Sequence, residues 1–489
     1  MSRVTLALLL TLTPCAGAHD PPALLPRRVP DEEAHRPTPL PDRIVLNITT
    51  DPARSVSVTW RTDITTTHAL ARLAVAQPGP QFDPAYHYAG RGTASPLATT
   101  HPAQTTLLLS DLGPAHYHAL TFTNLRPDTP YVYSVGDGVN WSEWLQFRTA
   151  SAQAEPFSFI YVGDAQNDIK AHWSRVIRGA YSAAPHAKFI LHAGDLINTS
   201  NTDHEWGEWF QAGGWLHAQV PCVPVAGNHE YFSDFNHDPP GPAISRHWRP
   251  QFMLPENGLP GLEESVYFFD CQGVRVIVLN SNERLVEQVT WLQRVLQTNP
   301  NRWTVLSFHH PLFSAAAARD NAELRNLWLP LIEQYRVDLV LQGHDHTYAR
   351  SDINVRVQNV PGGAQTRTVN GTMFVVSVSG PKMYHVEPHP WMRKSAEGMQ
   401  LYQIIHVDGG TLRYTAHTAD GAVYDVFTLK KRPGQPNELI EGAPPPTTAP
   451  LSTATGPNIG TVLLGLLGAW LLLVLRQKSG GQISVLSKP

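Results

Sequence analysis

In FSFIYVGDAQND, residues 157–168, six mostly apolar residues run straight into a glycine and an acid. Phe157–Val162 is too short for an ordinary helix and reads as a strand in a largely buried sheet. Gly163 ends it and Asp164 follows. The pattern recurs along the chain. AKFILHA (187–193) leads into GDLIN with Asp195, and VPCVPVA (220–226) into GNHEY with Asn228 and His229. WTVLSF (303–308) leads into HHPLF with His309 and His310, and VDLVLQ (337–342) into GHDH with His344 and His346. VRVIVLN (274–280) is a further strand. VEQVTWLQRVLQ (286–297) and NAELRNLWLPLIEQY (321–335) carry the period of amphipathic helices. Strands alternating with helices predict an α/β domain. Strands over 372–380, 401–408 and 422–429 complete it, and the domain is expected to close near Leu429.

In an α/β sheet the carboxyl ends of the strands share one edge, where ligands bind. Five strands here deliver carboxylate, amide or imidazole to that edge. Asp164, Asp195, Asn228, His309, His344 and His346 make six candidate metal ligands, with His229 left over. One tetrahedral ion needs three or four. Six suit two ions about 3.5–4 Å apart sharing a carboxylate. If the GHDH segment is extended, His344 and His346 stand roughly 6–7 Å apart at the backbone, one for each ion.

Outward from this domain the texture changes. Between Arg43 and Thr149 short alternating strands dominate: VSVTWRT (56–62), HYHALTFTNL (116–125), then a proline turn and the tyrosines of YVYSVG (131–136). This is the patterning of a β-sandwich. At the N-terminus, Arg3, the apolar Val4–Leu12 and Ala16-Gly17-Ala18 read as a secretory signal over 1–18. Residues 19–40 read as an irregular linker. At the other end 431–457 is a Pro/Thr-rich linker. Residues 458–475 (NIGTVLLGLLGAWLLLVL) are long enough to span a bilayer as a helix, and the basic flank predicts a cytoplasmic tail over 476–489. The expectation is an extracytoplasmic or cell-surface, single-pass protein that meets the membrane through that C-terminal helix. Without the signal, Cys222 and Cys271 remain. They either pair or lie as buried free thiols. A formal charge of −4, from 37 basic and 41 acidic side chains, argues against nucleic acid as a partner.

The ordered set GD…GD…GNHE…H…GHxH resembles the calcineurin-like metallophosphoesterase superfamily. With the sandwich (41–150), similar to a fibronectin type III-like module, ahead of the catalytic region (155–430), it looks most like the purple acid phosphatase branch. The resemblance implies a four-layer αββα fold holding two metal ions. It implies that Asp195 bridges them, that Asp164 and His346 hold the first, and that Asn228, His309 and His344 hold the second. His229 would act beside the substrate as hydrogen-bond donor or general acid. The implied reaction is hydrolysis of phosphate monoesters by water made nucleophilic on the cations, with a phosphorylated small molecule as substrate. Two other readings stay open: a phosphodiesterase for nucleotides or lipid head groups, and a surface binding protein with a vestigial site.

Two positions depart from the family pattern. The iron-binding tyrosine of GDxxY is replaced by Asn198, and the histidine of DxH by Gln166. Water, Gln166 or Asn198 would then complete the first ion, and iron, manganese or zinc suits the mixed donor set. Of the remaining polar residues, His310 is expected to point away from the site. Asp320 is expected to cap the following helix, with Arg319 either beside the phosphate or part of that turn. His192 is expected within the sheet or just behind the metal ligands.

Overall fold

The computed structural model describes residues 29–83, 98–234, 241–357 and 367–442. The segment read as a signal, residues 19–28 of the 19–40 linker, the apolar stretch 458–475 and the segment read as a tail lie outside the described residues. Among the described residues no helix is long and apolar enough to cross a membrane.

Two sheets lie face to face at the centre. One runs Tyr267–Cys271, Val274–Val278, Trp303–Ser307, Leu339–Gln342, Met373–Val376, Tyr348–Ser351, Met392–Ala396, with the middle strands parallel. Its side chains divide by strand parity. Val274, Val276, Val278, Val305, Leu339, Leu341, Met373 and Val375 join the core shared with the other sheet. Ile277, Leu306, Val340 and Phe374 face the opposite way, onto the helices Leu285–Gln297 and Ala322–Gln334. Both faces are dry, which is why these strands read as unbroken apolar runs. The other sheet carries Phe157–Val162, Ile190–His192 and Cys222–Pro224 in parallel, flanked by the antiparallel strands Leu401–Asp408, Thr411–Thr418 and Val423–Lys430. The helices Ser174–Ala183 and Asp203–Gly213 cover its outer face. Helix, sheet, sheet and helix give the four-layer αββα order. The sheet continues past residue 430, where the sequence reading closes the domain: Glu438–Gly442 adds an edge strand to Val423–Lys430. Its polar sequence gave no apolar signal.

The N-terminal module is a sandwich of Thr99–Pro102, Leu70–Val75, Pro130–Gly136 and Leu145–Arg148 against Asp42–Asn47, Val56–Thr62, Gly113–Phe122 and Gln104–Ser110. Its core includes Trp60, Phe122, Tyr133 and Phe147. The second of these sheets does not stop at the module. Asn47 pairs with Cys222, so module and catalytic domain share one eleven-stranded sheet. A buried polar knot reinforces the seam. Arg43 forks onto Asp203 at 2.8 and 2.7 Å, Arg61 approaches the same carboxylate at 3.4 Å, and His247 meets it at 3.2 Å. A bidentate, fully shielded pair of this kind fixes orientation, because neither charge can be left alone in the interior. Within the 19–40 linker, Asp31–Ala34 forms one helical turn.

Candidate metal centre

The loops after the five strands converge on one point between the two sheets. Asn228 Oδ1 lies 3.1 Å from His309 Nε2 and 2.9 Å from His344 Nδ1. These two imidazole nitrogens are 3.2 Å apart, and Asp195 Oδ2 is 3.1 Å from His309 Nε2. On the other side of Asp195, His346 Nε2 stands 3.7 Å from Asp164 Oδ1. Ligand atoms of Asp195, His309 and His344 fall within 4.8 Å of one another, and so do those of Asp164, Asp195 and His346. The six sequence-selected residues therefore form two clusters with Asp195 common to both.

Backbone conformation aims these side chains. Asp164, Asp195, His344 and His346 all have positive φ, at 52, 52, 74 and 49°. Such conformations cost a non-glycine residue roughly 1–3 kcal/mol each and collect at functional sites. This corrects the extended geometry expected for 344–346: the segment is a bend, and the strand begins only at Tyr348. Two glycines admit the close approach. A Cβ on Gly343 would sit 2.4 Å from Asp164 Oδ2, and one on Gly227 would sit 2.2 Å from Asp195 Oδ1.

Outer hydrogen bonds set the tautomers. His309 Nδ1 faces Ala193 O at 2.8 Å and His346 Nδ1 faces Lys382 O at 2.9 Å, so each ring turns an Nε2 lone pair inward. Asn228 Oδ1, His309 Nε2 and Asp195 Oδ2 are then three acceptors around one point, with His344 Nδ1 beside them. They repel one another unless a cation lies between them. The electrostatics agree. Burial lowers His309, but without an ion Asp195 overrides it and raises the ring to about 9, so that a proton on Nε2 takes the place a cation would fill. Burial and the neighbouring His309 lower His344, and burial lowers His346 to about 3. Burial would raise Asp195, yet His309 and His229 hold it down, whereas burial and Asp195 leave Asp164 raised. Asp164 Oδ2 and Gln166 Oε1 are buried without hydrogen-bond partners. The donor set fits two transition-metal ions.

At the two departures from the family pattern the structure separates the candidates. Gln166 is at the first cluster: its amide nitrogen is 2.9 Å from His346 Nε2 and 3.4 Å from Asp195 Oδ2. Rotating the amide by half a turn would present the oxygen there. The Asn198 side chain instead bonds its neighbour Thr199. Its carbonyl accepts from His229 Nδ1 at 2.5 Å. That leaves His229 Nε2, 4.0 Å from Asp195 Oδ2 and partly exposed, turned toward the centre.

Other expectations need revision. His310 does not turn away. Its ring lies 4.3 Å from that of His344, with Nδ1 2.8 Å from Ser281 Oγ. Asp320 does not cap the helix that starts at Ala322; it pairs with Arg325 at 2.6 Å. Arg319 donates to His344 O at 2.9 Å and lies over the Tyr384 ring at 4.8 Å. Cys222 and Cys271 are free and buried, so the pairing alternative falls. Two positioning groups escaped sequence reasoning. Glu230 accepts from the backbone N–H groups of Asp195 (2.9 Å), Leu196 (2.7 Å) and Gly227 (2.7 Å). Asp345 accepts from Ala315 and Ala316, at 2.5 and 3.2 Å. Their placement inside GNHE and GHDH was the available signal.

Comparison with known proteins agrees with this geometry. A calcineurin-like phosphoesterase model matches residues 107–348, and a purple acid phosphatase N-terminal domain model matches 41–149. An uncharacterised protein of Mycobacterium tuberculosis is 32% identical over 271 residues, covering 47% of this chain and 49% of its own. The Fe(3+)-Zn(2+) purple acid phosphatase 12 of Arabidopsis thaliana is 26% identical, covering 55% and 58%. The chain thus spans about half the length of the curated relatives it matches. The purple acid phosphatase structure from yellow lupin (Lupinus luteus) seeds superposes with a TM-score of 0.63 at 16% identity, over 80% of this chain and 74% of that one. By its two domain matches the chain carries a calcineurin-like phosphoesterase domain with the N-terminal domain of purple acid phosphatases ahead of it, and the fold agrees.

Proposed function

We propose that this protein is a hydrolase of phosphate monoesters that works with two metal ions. The observation that carries the reading is the Asp195 carboxylate shared by two groups of ligand atoms, each group within 4.8 Å. Asp164, His346 and Asp195 would hold one ion, with Gln166 adjacent. Asn228, His309, His344 and Asp195 would hold the other. The name of the Arabidopsis relative, an iron–zinc enzyme, supports an imidazole and carboxylate set of this kind. Bound there, such a pair screens the charge of the ester and makes water nucleophilic at neutral pH.

The chain's own residues supply the rest. His229, its Nδ1 fixed on the Asn198 carbonyl, has one usable nitrogen, Nε2, and that nitrogen faces the centre. It is placed to donate a proton to the departing alcohol oxygen. Arg319, held by the His344 carbonyl with its side chain 30% exposed, puts a fixed positive charge at the rim where a dianionic phosphate would dock. With Asn198 in the tyrosine position, that position supplies no phenolate to the first ion, and the visible charge-transfer band of the purple enzymes should be missing. The apolar stretch 458–475 would tether the enzyme outside the cytoplasm, a reading supported by its composition alone.

A chromogenic monoester and bis-ester, assayed with iron, manganese and zinc, test the proposal. Monoester turnover that Asn228→Ala abolishes is the expected result. Preferential bis-ester turnover would make the protein a phosphodiesterase, and no turnover with any of these metals would leave a binding protein.

A further inference from the structure

A second cluster of metal-binding side chains lies away from the centre just described, on the helix-covered face of the same sheet. Ligand atoms of His192, His217 and Cys222 are all within 4.8 Å of one another, and all three residues are buried. The sheet register explains the first and third. Ile190 pairs with Cys222 and His192 with Pro224 on neighbouring parallel strands, so His192 and Cys222 project from the same face. His217 arrives from the turn after the helix Asp203–Gly213 and stacks on Trp209 at 4.0 Å between ring centroids. Its Nδ1 is 3.5 Å from Cys222 Sγ. Nitrogen and sulfur bound to one tetrahedral zinc are separated by roughly 3.6 Å, given Zn–N and Zn–S bonds of about 2.05 and 2.3 Å. His192 Nε2 is buried with no hydrogen-bond partner. An interior imidazole nitrogen without a partner is costly, and packing alone does not account for it.

We infer that His192, His217 and Cys222 form a separate site for a thiophilic transition-metal ion, at the seam between the N-terminal module and the catalytic domain. The backbone makes the location meaningful. Leu46 N donates to His217 O at 2.8 Å and Ile48 N donates to Cys222 O at 3.2 Å, so two of the three ligands already hold the first strand of the module. His192 opens the turn to Asp195, and the Cys222 strand leads to Asn228. An ion here ties together the module and the two strand ends that position the dinuclear centre. Two imidazoles and a thiolate form a soft donor set suited to zinc, cobalt or copper and unsuited to magnesium or calcium. Burial lowers both imidazoles, His217 to about 3 against the opposing effect of the Trp209 backbone, so both are neutral at working pH; it raises the Cys222 thiol, whose proton the ion must displace. Binding forms the metal–sulfur bond and releases the Cys222 thiol proton to solvent.

The test uses the full chain produced in medium supplemented with cobalt(II), so that the interior site loads as the protein folds. Cobalt bound around Asp195 meets only oxygen and nitrogen. A cobalt–thiolate bond adds a near-ultraviolet sulfur-to-metal absorption. The wild type and Cys271→Ser should show that absorption and carry one cobalt per chain more than Cys222→Ser, which should lack it. Cys222→Ser is nearly isosteric, and its retained visible cobalt spectrum would show that the fold and the Asp195 centre survive. His217→Gln should lose the absorption as well. A wild type whose Asp195 centre is filled but which lacks the near-ultraviolet absorption, or a Cys222→Ser variant that keeps it, overturns the inference. Phosphatase activity is read independently, so this result and that of the proposed function can fail separately.

Discussion

Glu230→Gln removes one oxygen from a group that holds the centre without touching it. In the native site three N–H donors point at the carboxylate: Asp195 and Gly227 share Oε2, while Leu196 takes Oε1. Burial and the nearby Asp195 push this carboxyl up to about 8, but no acceptor stands ready for a proton at either oxygen, and a cation beside Asp195 would relieve the repulsion. A glutamine can turn its oxygen toward the shared pair of donors. Its amino group then faces Leu196 N, donor against donor. One charge-assisted bond is lost, at about 1.5–3 kcal/mol, and one interior N–H is left unsatisfied. Because Asp195 N and Gly227 N begin the turns that carry Asp195 and Asn228, much of this cost should fall on metal binding. About 2–2.7 kcal/mol corresponds to roughly a 30- to 100-fold weaker metal affinity, within the range seen when such outer partners are changed. Competition of the loaded protein against a chelator of known affinity reads the change, with activity measured at saturating metal as the companion assay. Activity should largely return when metal is supplied in excess. Unchanged metal affinity in Glu230→Gln would refute the claim that this carboxylate organises the centre.

Two further outcomes are expected. Burial raises Glu264 from 4.5 to about 7 against the Leu254 N–H and Arg249. The folded state then holds more protons than the unfolded one between those values. This group's contribution is best below pH 4.5, worsens as pH rises from there to 7, and costs at most about 3.4 kcal/mol above it. Glu264→Gln, which keeps an acceptor for Leu254 N at 3.2 Å, should raise the thermal midpoint at pH 8 and leave it unchanged at pH 4. Equal midpoint shifts at both pH values would remove this assignment. Arg319→Ala should raise KM for a monoester about 10- to 100-fold, the value of a charged hydrogen bond, with a smaller change in kcat. An unchanged KM would restrict Arg319 to its stacking on Tyr384 and its ion pair with the buried Asp345 at 3.6 Å.

The αββα core was legible because its strands are dry on both faces, so apolar runs such as Val274–Val278 and Trp303–Ser307 announce themselves. The six candidate ligands were legible because each follows such a run at a strand's carboxyl end. What the sequence hid was conformation and partnership. Positive φ at His344 and His346 replaces extended chain with a bend, and nothing in two histidines spaced by one residue signals it. The edge strand Glu438–Gly442 is held by backbone hydrogen bonds to Val423–Lys430 and needs no apolar pattern. The continuity of module and catalytic sheet rests on the pairing of Asn47 with Cys222, residues 175 positions apart by number. His217 is silent in sequence for the same reason: its neighbours His192 and Cys222 come from two different strands.

The central claim is that Asp195 sits between two ions. Anomalous diffraction from crystals of the full chain, loaded with manganese or zinc and measured at that metal's absorption edge, tests it most directly. Two peaks should flank the Asp195 carboxylate about 3.5–4 Å apart, one against Asp164 and His346, the other against Asn228, His309 and His344. A single peak there, or none at saturating metal, would contradict the account.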